Sequence, residues 1–176
     1  MLMISIKDME KRELHAHAHR LLRECLRSHG IDYNEKTKII KGKMGKPFLA
    51  LYPDIHYNIS HADGIAACIV SDFECGIDCE RVREYRPNVM KRAFSEKERE
   101  IVENAIENKK NELFFRLWTL KEAYVKALGT GISYPLNTAE FSFRNGDIVT
   151  ELQGCRFRQY LVCNGKFVIS VCEIKH

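Results

Sequence analysis

The stretch CGIDCER, residues 75–81, places two carboxylates at a spacing that suits a bound cation. In a β-strand, residues two apart share a face, so Asp78 and Glu80 would project together. Neighbouring carboxylates repel one another unless a positive group lies between them, and oxygen ligands suit Mg²⁺ or Mn²⁺ rather than zinc. The alternative is a strand edge whose solvated acids pair with Arg81 or Arg83. For this pair taken alone, we favour the solvated edge.

A second stretch, WTLKEAYVKALGTG at residues 118–131, has the pattern of a helix that ends at a glycine. Because side chains advance by about 100° per residue around a helix, one face is predicted to enter the core. That face consists of Leu113, Leu117, Leu120, Tyr124, Ala127 and Leu128. Glu122 then lies opposite the core face, with Trp118 and Lys126 one turn to either side. Lys121 lies on the flank of the helix.

The polar face of this helix has two interpretations. An exposed Glu122–Lys126 pair is common on solvated helices. A tryptophan opposite the core instead indicates that a second surface covers this side. If Glu122 packs beside Asp78 and Glu80, three carboxylates would converge, and Mg²⁺ held by few protein ligands is the usual arrangement for binding a diphosphate.

Two loops carry further candidates for anion binding. Lys43 and Lys46 lie in GKMGKPFL, which lacks the GK[ST] of a Walker loop and by itself indicates a basic turn. Ser60 and His61 lie in NISHADG. Adjacent side chains diverge, so they are not a nucleophile pair, but a hydroxyl and an imidazole can hold phosphate oxygens. A solitary histidine in a turn is more often structural.

Two other features stay open between function and structure. The segment RVREYRPNVMKR could face an acidic partner helix or be a solvated surface. Its basic residues are Arg81, Arg83, Arg86, Lys91 and Arg92. Ser95 and Glu98 form the S-x-x-E pattern of a capping box, whereas proximity to an acidic cluster would make Glu98 a candidate general base.

Helices and short strands must position these side chains. Helical periodicity predicts helices over residues 8–29, from Ser95 to about Asn108 and over residues 111–128. Strands are predicted at residues 65–72 and 75–81, and in three runs after residue 140 joined by Asn145-Gly146 and Asn164-Gly165 turns. Because helices and hairpins segregate along the chain, the order predicts an α+β fold. Two halves that join near residues 72–75 are compatible with it.

Composition narrows the class of protein. The 176 residues carry 28 basic and 24 acidic side chains, a net charge of +4 that suits an anionic small molecule or an acidic protein better than nucleic acid. No apolar run has the length of a membrane span, and the first 20 residues are a poor secretory signal. The seven cysteines include no C-x-x-C pair, and a zinc site at Cys75 and Cys79 lacks further ligands at a recognisable spacing. Reduced, mostly buried thiols in a cytoplasmic protein are therefore predicted.

Five motifs together resemble those of Sfp-type 4'-phosphopantetheinyl transferases. They are GKP at 45–47, NISH at 58–61, GIDCER at 76–81, FSEKE at 94–98 and WTLKEAYVKALGTGI at 118–132, in the family's order and spacing. The resemblance covers residues 45–135 and implies a fold of two pseudo-symmetric α+β halves, residues 1–72 and 73–176, with the active site in the cleft between them. It implies transfer of 4'-phosphopantetheine from coenzyme A to a serine of an apo acyl or peptidyl carrier protein. The alternative is a family member that binds coenzyme A without catalysis.

The resemblance also assigns roles to residues. It implies that Asp78, Glu80 and Glu122 bind Mg²⁺ or Mn²⁺. The residues implied to contact coenzyme A are Arg20, Lys46, Ser60, His61, Lys121 and Lys126. Glu98 matches the proposed general base, and Lys121 and Lys126 match lysines that stabilise the leaving phosphate. An acidic carrier protein is expected to dock near Arg81–Arg92, and the protein is expected to be a cytoplasmic monomer that binds neither nucleic acid nor membrane.

Overall fold

The computed structural model of the chain describes residues 1–7, 11–34 and 37–175. Its first half contains the antiparallel sheet β1-β5-β4, formed by Leu2–Ile6, Ile65–Ser71 and His56–Ala62. Helix α1, Lys11–Ser28, packs on this sheet and buries Leu22, Cys25 and Leu26 against Tyr57 and Cys68. Strands β2, Ile39–Lys41, and β3, Pro47–Leu49, form a small hairpin between α1 and β4. The predicted start of the first helix at residue 8 lies outside the described residues.

The second half is built on another antiparallel sheet, β6-β10-β9, formed by Glu74–Arg81, Phe167–Ile174 and Cys155–Val162. Three helices lie between β6 and the final strands: α2, Pro87–Ala93; α3, Glu96–Glu103; and α4, Glu107–Leu128. Two short 3-10 turns, Gly131–Ser133 and Leu136–Thr138, precede the hairpin of β7, Ser142–Arg144, and β8, Asp147–Val149. This order confirms the predicted α+β class, while the division at residue 72 stays a prediction.

The two three-stranded sheets meet where β4 runs beside β6. Apolar side chains of β5 and β6, including Ile69 and Ile77, form a common core between the sheets. No ladder of backbone hydrogen bonds joins β4 to β6. Instead, the Ile77 amide donates to Asn58 Oδ1 at 3.0 Å, and the Cys79 amide donates to Ser60 Oγ at 3.3 Å. Side chains of β4 therefore satisfy the outward amides of β6, which is an edge strand of its own sheet.

Helix α4 differs most from the sequence prediction. It begins at Glu107 rather than Asn111, because α3 already ends at Glu103. It is also buried on more than one side, since the β6-β10-β9 sheet packs on one face and Phe94, which follows α2, stacks on Phe114 of another face. The prediction that Leu128 lies in the core is wrong, because it is 37% exposed, and the flank on which Lys121 was predicted is fully buried at that residue.

Local signals were reliable elsewhere. Ser95 caps α3 in a complete capping box with Glu98. The turns at Asn145-Gly146 and Asn164-Gly165 contain residues with positive φ, as their hairpins require. All seven cysteines are free thiols and five of them are buried. Among the described residues, no helix has the length and apolar character needed to cross a bilayer.

Candidate functional site

A cleft of about 540 Å³ lies between the β2–β3 loop and one face of α4. Met44 and Lys46 of the loop form one wall, and Trp118, Glu122 and Lys126 of the helix form the opposite wall. The cleft is also lined by Asn58, Arg92, Val125, Gly129, Gly131, Tyr134 and Leu136. Trp118 is half-buried and stacks on Phe114 of its own helix, so the prediction that a second surface covers this side of α4 stays a prediction.

The backbone of α4 lies directly on β6 because position 76 is a glycine. A Cβ atom at Gly76 would lie 2.1 Å from the Ala123 carbonyl oxygen and 2.4 Å from the Ala127 amide nitrogen, far closer than atoms can approach. The missing side chain lets the helix settle onto the strand. The close approach brings Lys126 of the helix within reach of Asp78 on the strand.

Asp78 is held by side chains of α4 and β4. Lys126 Nζ donates to Asp78 Oδ1 at 2.6 Å, and Ser60 Oγ donates to the same oxygen at 3.1 Å. Although burial lowers the pKa of Lys126, the charge and hydrogen bond of Asp78 raise it overall. Asp78 Oδ2 is buried and has no hydrogen-bond partner. A buried carboxylate oxygen without a donor is costly, and a cation at that oxygen would satisfy it.

Glu80 and Glu122 lie near Asp78 and respond to its charge. Burial raises the pKa of Glu122, and the charge of Asp78 raises it further against the opposing effect of Lys126. Burial also raises the pKa of Glu80, which Arg83 lowers and Asp78 raises. The three carboxylates are therefore near enough to repel one another, and their oxygens suit a hard divalent cation.

The three carboxylates do not form a ready metal cage. Throughout the described part of the chain, no group of three or more His, Cys, Asp or Glu side chains is arranged as it would be around an ion. Glu80 instead accepts a hydrogen bond from Arg83 at 2.8 Å. Shared binding of a cation by Asp78, Glu80 and Glu122 would thus require side-chain rotation, beginning with the release of Glu80 from Arg83.

Glu98 and Lys121 lie together outside the cleft and are both inaccessible to solvent. Glu98 Oε2 accepts from Lys121 Nζ at 2.7 Å and from the Ser95 amide at 2.8 Å, while Oε1 accepts from the Phe141 amide at 3.0 Å. Lys121 also donates to the carbonyl oxygens of two residues near the 3-10 turns, Leu136 and Ala139. Burial raises the pKa of Glu98 and lowers that of Lys121, despite the attraction between them.

This arrangement leaves the roles expected of Lys121 and Glu98 as predictions. Lys121 does not reach the cleft in the structure, because its Nζ is enclosed by Glu98 and two backbone carbonyls. Direct contact with the phosphates of coenzyme A would require this buried group to move. The capping-box interpretation of Glu98 is confirmed. Its role as a general base stays a prediction, since all of its present partners are hydrogen-bond donors of the protein.

The remaining candidates are divided between the cleft and the α1 side of the molecule. Lys46 lines the cleft, but its Nζ contacts the carboxylate of Glu74 and the carbonyl oxygen of Ala127. His61 packs edge-on against His15 of α1, with ring centroids 5.7 Å apart. Arg20 is exposed and contacts His17 Nδ1 at 3.1 Å. The side chains of Ser60 and His61 therefore lie on opposite faces of β4, as the alternation of side chains along a strand predicts.

The predicted docking segment is only partly free to meet a partner. Arg81 pairs with Asp63 at 2.5 Å and Arg83 pairs with Glu80. Arg86 and Lys91 are exposed, and Arg92 reaches the cleft wall.

Asn58 is a site residue that its chemistry alone does not predict. It lines the cleft and bonds the Ile77 amide. The available signal was alternation in NISH, which places Asn58 on the same face as Ser60.

Residues 74–172, from β6 to within β10, match the family model of the 4'-phosphopantetheinyl transferase superfamily. Because this match covers more than half of the chain, the protein belongs to the 4'-phosphopantetheinyl transferase superfamily. The resemblance seen in its motifs is thereby confirmed.

Curated relatives agree with this assignment. The chain is 39% identical to 4'-phosphopantetheinyl transferase gsp of Aneurinibacillus migulanus over 60% of this chain and 44% of that protein. It is 32% identical to 4'-phosphopantetheinyl transferase Sfp of Bacillus subtilis over 73% of this chain and 59% of that protein. The human L-aminoadipate-semialdehyde dehydrogenase-phosphopantetheinyl transferase is 33% identical over 55% of this chain and 36% of its own length. The chain thus spans less than two thirds of each of these relatives.

Proposed function

We propose that the protein transfers the 4'-phosphopantetheine group of coenzyme A to a serine hydroxyl of an apo acyl or peptidyl carrier protein. The serine oxygen forms a bond to the phosphorus that bears the pantetheine. The bond from that phosphorus to the bridging oxygen breaks, adenosine 3',5'-bisphosphate leaves, and the serine proton passes to a base. The observation that carries this proposal is Asp78, buried at the cleft edge between Lys126 and Ser60 with one oxygen unsatisfied.

The proposed cofactor is Mg²⁺, or Mn²⁺ in its place, held by Asp78, Glu80 and Glu122. When bound there, the ion would neutralise charge on the diphosphate. The unsatisfied Asp78 Oδ2 and the mutual repulsion of the carboxylates support this assignment. The oxygen-only donor set supports a hard cation.

Phosphoryl transfer depends mainly on positioning and charge neutralisation, and both fall to residues of the cleft. Lys126 is proposed to hold the leaving phosphate, since its raised pKa keeps it charged. Lys46, on the opposite wall, is proposed to contact the nucleotide, and Ser60 to fix Asp78. Arg20 and His61 would contact the nucleotide from the α1 side.

Glu98 and Lys121 enter the proposal together. As the structure stands, their buried pair fixes α3 and α4 to the segment around Leu136 and Phe141. Glu98 would act as the base for the serine proton only after it exchanges its contact with Lys121 for a contact with the carrier. Lys121 would then also be released toward the leaving phosphate.

The carrier protein is proposed to be acidic and to dock along residues 81–92, where Arg86 and Lys91 are exposed. Charge complementarity of this kind raises the rate of encounter more than the final affinity. We further propose that the protein is a monomer and that it acts in the cytoplasm. The seven free thiols support the cytoplasmic location.

The direct test is transfer of a phosphopantetheine group to an apo carrier protein, detected by the increase in carrier mass. We expect Asp78→Asn and Glu122→Gln each to abolish transfer in the presence of Mg²⁺. Asp72→Asn and Glu103→Gln change the same residue types at exposed positions and should retain it. Full activity in both site variants would refute the metal assignment. Binding of coenzyme A without any transfer, for several carriers, would instead indicate the non-catalytic alternative.

A further inference from the structure

Lys46 lies between two cavities. It lines the cleft, and together with His56 and Glu74 it also lines a second cavity of about 390 Å³. Glu74 borders the second cavity and does not line the cleft. Its carboxylate contacts Lys46 Nζ, and the same oxygen lies 3.5 Å from His56 Nδ1. Glu74 therefore reaches the ammonium of Lys46 from the side away from the cleft.

The position of Lys46 does not depend on Glu74 alone. Lys46 Nζ also donates to the carbonyl oxygen of Ala127 in the last turn of α4, where the helix dipole favours a cation. The stem of the side chain packs directly on Gly129, since a Cβ atom at that residue would lie 2.9 Å from Lys46 Cδ. Removal of the Glu74 charge would thus leave the ammonium beside the cleft.

The charge of Lys46, by contrast, is neutralised by Glu74. An ammonium has three hydrogens to donate, of which Glu74 and Ala127 accept two. A phosphate in the cleft can accept the third hydrogen or displace the carboxylate, and in either case it approaches a cation that is already paired. The side chains of Lys46 and Glu74 are 18% and 37% exposed, so water screens their attraction only in part. The carboxylate and a phosphate would therefore share one cation.

We propose that Glu74 competes with a phosphate group of the nucleotide for Lys46, and that it thereby weakens the binding of coenzyme A and of the product adenosine 3',5'-bisphosphate. The inference rests on the proposed function for the identity of the nucleotide. Glu74 does not touch the ligand; it is a positioning residue that acts through Lys46. Because a site that bound the bisphosphate too firmly would retain it after transfer, weaker binding favours release of the product.

The alternative is that the Glu74–Lys46 pair only fastens the β2–β3 loop to β6. The pair joins these two elements, and the contact of Lys46 with Ala127 adds the end of α4. A partly exposed ion pair contributes little to stability, so a purely structural role predicts a small fall in Tm and no gain in affinity for the nucleotide. Competition instead predicts that affinity rises when the carboxylate is removed.

The test measures the dissociation constant of adenosine 3',5'-bisphosphate by calorimetry, after thermal unfolding has shown that each variant is folded. Glu74→Gln keeps the size of the side chain and removes its charge, and we expect it to bind the bisphosphate about three- to tenfold more tightly than the wild type. Glu74→Ala should also bind more tightly, because Ala127 and Gly129 still hold Lys46. Asp72→Asn, which removes an exposed charge from the preceding turn, is the matched control and should keep the affinity of the wild type.

A double-mutant cycle shows whether Glu74 acts through Lys46. Lys46→Met alone should weaken binding of the bisphosphate about tenfold. In the Lys46→Met background, Glu74→Gln should change the dissociation constant less than about twofold. Equal tightening in both backgrounds overturns the inference, since the carboxylate would then repel the nucleotide directly. Unchanged or weaker binding by either single Glu74 variant also overturns it, as does equal tightening by Asp72→Asn.

Failure of this inference can be told apart from failure of the proposed function. The bisphosphate binds without turnover, so the cycle can be measured even if no carrier is modified. If carriers are modified, KM for coenzyme A should fall in Glu74→Gln while kcat does not rise; transfer with an unchanged KM and an unchanged dissociation constant means that only the inference fails. If no carrier is modified but the tightening depends on Lys46, the competition stands and the proposed function fails.

Discussion

Replacement of either member of the Glu98–Lys121 pair separates a structural role from a catalytic one. In Glu98→Gln, only one of the two backbone amides of Ser95 and Phe141 retains an oxygen acceptor, because they bond different carboxylate oxygens, and the Lys121 ammonium loses its counter-charge in a site closed to solvent. In Lys121→Met, the Glu98 carboxylate keeps the two amides and loses the ammonium. Each single change leaves one buried charge unpaired.

The expected loss of stability in each variant follows from the burial of this ion pair. Loss of one partner of a buried ion pair costs about 3–5 kcal/mol, and in a domain of this size each kcal/mol lowers Tm by about 2–4 °C. We therefore expect each single variant to melt about 6–20 °C lower than the wild type. The double variant Glu98→Gln/Lys121→Met removes both charges, so its loss should be smaller than the sum of the two single losses by about 2 kcal/mol.

Thermal and denaturant unfolding measure these differences, and carrier modification below the melting range measures activity. Lys97→Met is the matched control, because it breaks the exposed Lys97–Glu140 pair and should leave Tm close to that of the wild type. The reasoning is refuted if Glu98→Gln melts like the control. Loss of transfer in that same stable variant would establish Glu98 as the base and would show that its contact with Lys121 contributes little to stability.

Two further changes test the cleft itself. Lys126→Ala removes the cation that contacts Asp78, and we expect kcat for carrier modification to fall about 10²-fold or more. The control Lys109→Ala, at the exposed start of the same helix, should leave kcat unchanged. If both variants have the same kcat, Lys126 does not contact the phosphate. Gly76→Ala would force the helix off the strand and should lower the free energy of unfolding by about 3 kcal/mol or more. In the control Gly42→Ala, the new Cβ would lie 3.6 Å from the Lys46 carbonyl oxygen, and the variant should unfold as the wild type does. Similar melting of the two variants would contradict the close packing at Gly76.

Local chemistry allowed much of the scaffold to be predicted from the sequence. The Ser95 cap and the Asn145-Gly146 turn depend on side chains and φ angles within a few residues, so short motifs reveal them. Strand β5 was found because its apolar run ends at polar residues. No local pattern predicts strand β1, since its five residues gain their stability from pairing with β5, far along the chain.

The contacts that long sequence separations create could not be predicted in the same way. A helical projection places Lys121 on a flank, and only the later segment that carries Leu136 and Ala139 covers that flank. Lys46 pairs with Glu74, which is 28 residues away. The five motifs group the acids of β6 with those of α4 in one pattern, but they do not reveal which oxygen of Asp78 lacks a partner.

The hydrogen bonds that the side chains of Asn58 and Ser60 accept from β6 allow opening of the junction between the sheets to be measured by hydrogen exchange. The amide hydrogens of Ile77 and Cys79 are shielded by one carboxamide and one hydroxyl rather than by a neighbouring backbone. Their exchange with deuterium should therefore record separation of β4 from β6 while the β6-β10 ladder remains closed. Ser60 also contacts Asp78. Slower exchange of these two amide hydrogens on addition of nucleotide would therefore show that a ligand in the cleft holds the two sheets together more firmly.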